Sequence, residues 1–77
     1  MYPNVEAERI RAGLTLEPIA EALGVTVSTL SLKLNGKYPI TFNEAKKIKD
    51  IIAEAKKAKG ITINIDLPLE VLFEEAS

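Results

Sequence analysis

Apolar residues recur at helical spacing through most of the chain and change to strict alternation near its C-terminal end. A first helix is expected from about Asn4 to Ala12, with Asn4 placed to cap it, Glu6 and Glu8 suited to its positive end, and Gly13 to stop it. Ala7, Ile10 and Leu14 supply a thin apolar stripe. Thr15 reads as the N-cap of a second helix that turns Ile19, Ala20 and Leu23 inward and ends at Gly24. Pro18 falls in its first turn, where a missing N–H matters little, so the Thr15 hydroxyl is expected to take the Glu17 amide. Thr26 then caps a third helix with Leu30 and Leu34 at i, i+4, closed by Asn35-Gly36.

Only Gly24-Val25-Thr26 separates helices two and three, so they must cross steeply with Val25 plugging the junction, the geometry of a helix-turn-helix unit. The run "TFNEAKKIKDIIAEAKKAKG" opens with Thr41 and Glu44 in capping-box spacing. Phe42, Ala45, Ile48, Ile52 and Ala55 are expected to form its buried face, with the lysines mostly outside. In "ITINIDL" the residues Ile61, Ile63, Ile65 and Leu67 alternate with polar ones, which predicts extended structure over 61–67. Pro68 starts a short helix whose Leu69, Leu72 and Phe73 close the core.

Composition narrows the chemistry. At 77 residues without Cys or His, the chain lacks disulfides, thiol nucleophiles, the usual zinc ligands and the ordinary neutral-pH general base. Apolar residues form 47% of it but are scattered, so neither a spanning helix nor a signal peptide is expected, and a soluble, cytoplasmic protein is. Net charge is −1, distributed as 0 over residues 1–40, +3 over 41–60 and −4 over 61–77. With a pI near 5.4 the chain is not globally basic, so any affinity for nucleic acid must come from local lysines and should be modest in a monomer.

Leu14-Thr15, Ile19-Ala20, Leu23-Gly24-Val25, Leu30 and Asn35-Gly36 together resemble the lambda-repressor-like, Cro-type (XRE-type) helix-turn-helix domains of phage and bacterial regulators, over roughly residues 4–58. Leu69 to Phe73 look like the closing helix of that family. The resemblance implies an all-α domain of four to five helices, spanning 1–77 with the helix-turn-helix proper at about 15–35, whose third helix enters the major groove of double-stranded DNA. Carried over by position, base-facing sites fall on Val27, Ser28, Ser31 and Leu32. Hydroxyls serve either kind of base pair and aliphatic groups suit the thymine methyl, so specificity is expected to be low or biased toward A·T. Thr26, Thr29, Asn35, Lys37 and Tyr38 fall where they can meet the DNA backbone. Two departures stand out: Leu16 replaces the Gln that often opens helix two, and Lys33 occupies a commonly apolar position that Leu34 can cover.

Other features have plainer readings. Lys46, Lys47, Lys49, Lys56, Lys57 and Lys59 lie among Glu44, Asp50 and Glu54 as a solvated face, with pairs such as Lys46 and Asp50 at i, i+4. Glu70, Glu74 and Glu75 read as surface charge rather than a metal or acid/base site. Within the C-terminal element 61–76, the alternating segment 61–67 either pairs with a second copy to make a homodimer or is an extended connector that buries its isoleucines against the chain's own helices. Taken together these features predict a DNA-binding transcriptional regulator; the alternative is a protein-interaction module using the same third helix. No enzyme activity, cofactor, metal, small-molecule ligand or membrane partner is expected.

Overall fold

The computed structural model describes residues 2–76. Five helices follow in order: α1 (Pro3–Arg11), α2 (Leu16–Leu23), α3 (Val27–Leu34), α4 (Phe42–Ala58) and α5 (Leu69–Leu72). Val5 and Ala12 from the first helix and its C-cap, Ile19 and Ala20 from α2, Leu30 from α3, Ile48 and Ile52 from α4, and Leu72 from α5 bury one shared core. Among the described residues the fold is all-α, with the four to five helices that the sequence leads one to expect.

Local chemistry sets most helix ends as expected, with two corrections. Asn4 does not cap α1; Tyr2 occupies the N-cap without a side-chain bond, and the Asn4 amide donates instead to the Val71 carbonyl at 2.8 Å, tying α1 to α5. Thr15 has the extended N-cap backbone, but its hydroxyl makes no capping bond to Glu17. Pro18 stands at the third helical position, removing a donor that a threonine cap ordinarily takes. The α4 capping box forms in full, Glu44 N–H donating to Thr41 Oγ1 at 3.1 Å and Thr41 N–H to Glu44 Oε1 at 3.0 Å. Thr41→Ala should therefore lower stability by about 1 kcal/mol and the melting temperature by roughly 4–8 °C, measurable by circular dichroism.

Which face each helix buries departs from expectation in two places. On α1, Val5, Glu8 and Ala12 face inward, while Ala7 is exposed and Ile10 is 64% exposed. On α4, Phe42 lies outside at 69% exposure; six residues ahead of Ile48, it stands about a third of a turn away from the buried row. That row is Ile48, Ile52 and Lys56, and so one lysine expected outside is wholly buried.

The buried lysine explains the largest difference. Residues 61–67 do not form an extended segment: positions 63–66 make a turn with Asn64 at φ 53°, and no strand occurs among the described residues. The Lys56 ammonium pairs with the Glu8 carboxylate and donates to the carbonyls of Ile63 at 3.1 Å and Asn64 at 3.2 Å. The Asn64 side-chain amide donates to the other Glu8 oxygen at 3.0 Å, and Arg11 Nε to the first at 3.2 Å. Gathering two successive carbonyls onto one cation bends the backbone away from a strand, and Asn tolerates the left-handed conformation this demands. Leu67 packs against the core, whereas Ile63 is 59% exposed, so this connector does not bury its isoleucines as a row.

Candidate nucleic-acid interface

Gly24 shapes the approach of α2 to α3. With φ 71° and ψ 30° it ends α2 in the left-handed region, and the Val25 amide bonds back to the Ala20 carbonyl at 3.0 Å. Val25, half-buried against the core, fills the junction. Thr26 starts α3: its Oγ1 accepts from the Thr29 amide at 3.1 Å and donates to Thr29 Oγ1 at 3.0 Å. Thr29 keeps its own hydroxyl hydrogen available to an acceptor.

Leu30 is fully buried, which fixes the rotation of α3 about its axis. Val27 and Ser31, and beside them Ser28 and Leu32, then form two i, i+4 rows on the side turned away from the core. Val27, Ser28 and Leu32 are exposed and Ser31 is half-buried. Of the residues expected at the DNA backbone, Thr26, Asn35, Lys37 and Tyr38 are exposed and Thr29 is half-buried. Tyr38 is 51% exposed, and it and Lys37 lie in the segment that leads from α3 to α4.

Electrostatics around this face are nearly balanced. Residues 15–38 carry Glu17 and Glu21 against Lys33 and Lys37. Lys33 turns inward, its Nζ 3.1 Å from Glu44 Oε1 and 3.2 Å from the Pro39 carbonyl. The Thr41 amide, opposed by burial and aided by the Lys33 ammonium, holds the Glu44 carboxyl below the ordinary carboxylate range. Leu34, next to Lys33, packs on the core in its place. The α4 lysines form no continuous stripe: Lys56 is buried, Lys57 lies 3.7 Å from Glu54, and Lys49 lies 3.9 Å from Asp66. Lys46 sits over the exposed Phe42 ring, 5.8 Å from its centroid, and makes no ion pair with Asp50 among the described residues.

A family model described as helix-turn-helix matches residues 5–51. The chain belongs to this helix-turn-helix family. It is a lambda-repressor-like family of DNA-binding regulators, regulatory rather than catalytic. No curated protein and no solved structure matches the chain. The helix-turn-helix match takes in most of α1, all of α2 and α3, and α4 as far as Ile51; Lys56 and the turn it holds lie beyond it. Among the described residues no helix is long and apolar enough to cross a membrane, and no group of three or more acidic residues is placed to hold a metal ion.

Two ion pairs, of which Lys33–Glu44 adjoins this face, escaped the sequence reading. The Lys33–Glu44 pair links the last turn of α3 to the first turn of α4, yet its members are eleven positions apart and share no helical period. Glu8 and Lys56 had a legible signal: Val5-Glu8-Ala12 and Ile48-Ile52-Lys56 each place one charge, of opposite sign, on an apolar face.

Proposed function

We propose that this protein is a transcriptional regulator that binds double-stranded DNA with α3 in the major groove. The observation that carries this reading is the outward face of α3: burial of Leu30 leaves Val27, Ser28, Ser31 and Leu32 unclaimed by the chain's own core, flanked by Thr26, Thr29, Asn35, Lys37 and Tyr38. In this reading the first four meet base edges and the other five meet the backbone. Hydroxyl and aliphatic contacts favour weak specificity with a preference for A·T, so two copies on half-sites about one helical turn apart would raise both affinity and selectivity. The proposed protein is accordingly a cytoplasmic homodimer of the phage or bacterial kind.

A second reading has its own observation. Val27, Leu32 and Tyr38 give the third-helix region exposed apolar surface, which suits a protein partner as well.

Titration of isotope-labelled protein with a short mixed-sequence duplex decides between them. DNA binding is expected to shift amides at 26–38 at low salt and to fade as salt rises, since each neutralised phosphate contributes roughly −0.9 to the slope of log K against log salt. A silent α3 face in folded protein would overturn the DNA reading and leave the protein-partner one.

A further inference from the structure

Between α3 and α4 the chain runs through residues 35–41, the segment that carries Lys37 and Tyr38. Its start is fastened by the turn that ends α3, where the Lys37 amide donates to the Leu32 carbonyl at 2.9 Å. Its far end is fastened by one pair of side chains. Lys33 Nζ donates to the Pro39 carbonyl at 3.2 Å and to Glu44 Oε1 at 3.1 Å, and the same carboxylate oxygen accepts the Thr41 amide at 3.0 Å. Tyr38 is thus bracketed between two held points while its ring and the Lys37 ammonium stay exposed.

Stability alone does not call for an ammonium at this place. The Lys33 and Glu44 side chains are only 15% and 19% exposed, and an apolar residue at such a site commonly does as well as a largely buried ion pair. What an apolar residue cannot do is gather a loop carbonyl and a helix-capping carboxylate onto one donor. Occupied in this way, Lys33 is also withdrawn from any phosphate.

We infer that Lys33 is a positioning residue for DNA binding, holding the 35–41 segment so that Lys37 and Tyr38 are ordered against the phosphate backbone before contact; this rests on the DNA reading above. A loop already held in its bound form loses less freedom on binding, and the gain appears as affinity.

The test compares Lys33→Met, which keeps length and the α4 capping box, with Lys33→Arg, which keeps the charge. Each is made alone and in a Lys37→Ala/Tyr38→Ala background. Affinity for a mixed-sequence duplex at low salt is read by fluorescence anisotropy, and amide exchange at Tyr38, Ile40 and Thr41 is read in free protein. Lys33→Met should remain folded, exchange faster at those amides, and bind about three- to ten-fold more weakly, with Lys33→Arg restoring most of the loss. In the double-alanine background the same change should weaken binding by less than about two-fold, because the groups it positions are gone. An equal loss in both backgrounds, or unchanged exchange and affinity, would overturn the proposal alone. Wild-type protein that leaves the duplex unbound would overturn the DNA reading and this proposal together.

Discussion

Glu8→Leu should destabilise the protein by about 3–5 kcal/mol, because it leaves the Lys56 ammonium buried without its counter-charge. Lys56 is 1% exposed, and once Glu8 is gone its remaining partners are two neutral carbonyls. Small domains hold roughly 0.05–0.15 kcal/mol of stability per residue, so a loss of this size takes a large share of the total. Chemical denaturation would report it as a lower midpoint. The double variant Glu8→Leu/Lys56→Met should recover most of the loss, since removing both charges abolishes the desolvation problem. It should not restore the 63–66 turn, whose two carbonyls would have lost their donor; faster amide exchange there would show this. If Glu8→Leu melts like the wild type, the pair has no energetic role.

The same carboxylate gives the fold an acid limit. Burial by itself would raise the Glu8 pKa, but the Lys56 ammonium, the Asn64 amide and Arg11 together outweigh it and hold the carboxyl below its ordinary value of 4.5. A carboxyl depressed in the folded state contributes its stability in full above the unfolded value and loses it as pH falls through the folded one. Wild-type stability should therefore decline below about pH 4.5, and the double variant should decline less steeply over that window. Parallel acid-unfolding curves for the two proteins would contradict this.

Ser28→Glu should reduce duplex affinity by about 100-fold or more while leaving the fold intact, because like charges brought together at an interface cost several kcal/mol. Ser28 is exposed at the second position of α3, on the face proposed to meet bases. A carboxylate near a helix N-terminus is favourable to the helix, so thermal stability should hold or rise slightly. Loss of binding without loss of fold is what separates a contact surface from a structural one. Ala58→Glu supplies the control: it changes net charge equally, at the exposed last position of α4, and should weaken binding far less. Equal losses from the two variants would mean that only overall charge matters. An unaffected Ser28→Glu would remove α3 from the interface.

Helix order, the capping box and the short turn after Gly24 were legible in the sequence because each depends on neighbours within a few positions, and Leu72 was legible from its apolar spacing with Leu69. Alternation at 61–67 misled because period 2 describes only side chains, whereas this backbone is bent by a cation arriving from Lys56. Phe42 is apolar but lies off the row of Ile48 and Ile52, and helical spacing rather than apolar character decides its exposure. For the candidate site, the positions on α3 came from the family resemblance, and the burial of Leu30 leaves Val27, Ser28 and Leu32 exposed. The inward turn of Lys33 could not be read in advance, since nothing local marks a lysine that will find a carboxylate on the next helix.

The Glu8–Lys56 clasp also has a consequence for the order of assembly. The α2–α3 unit is built from adjacent segments, but Ile19, Ala20 and Leu30 share their core with Ile48 and Ile52 of α4. Its companion α1 packs against α4 and α5, and the charge of Glu8 finds its cation 48 positions later. At a synthesis rate of roughly 5–20 residues per second, α1 waits several seconds for its partners. A nascent chain therefore cannot close the clasp until α4 is out, and its first helix and the proposed reading head become one cooperative unit only when α4 and α5 emerge.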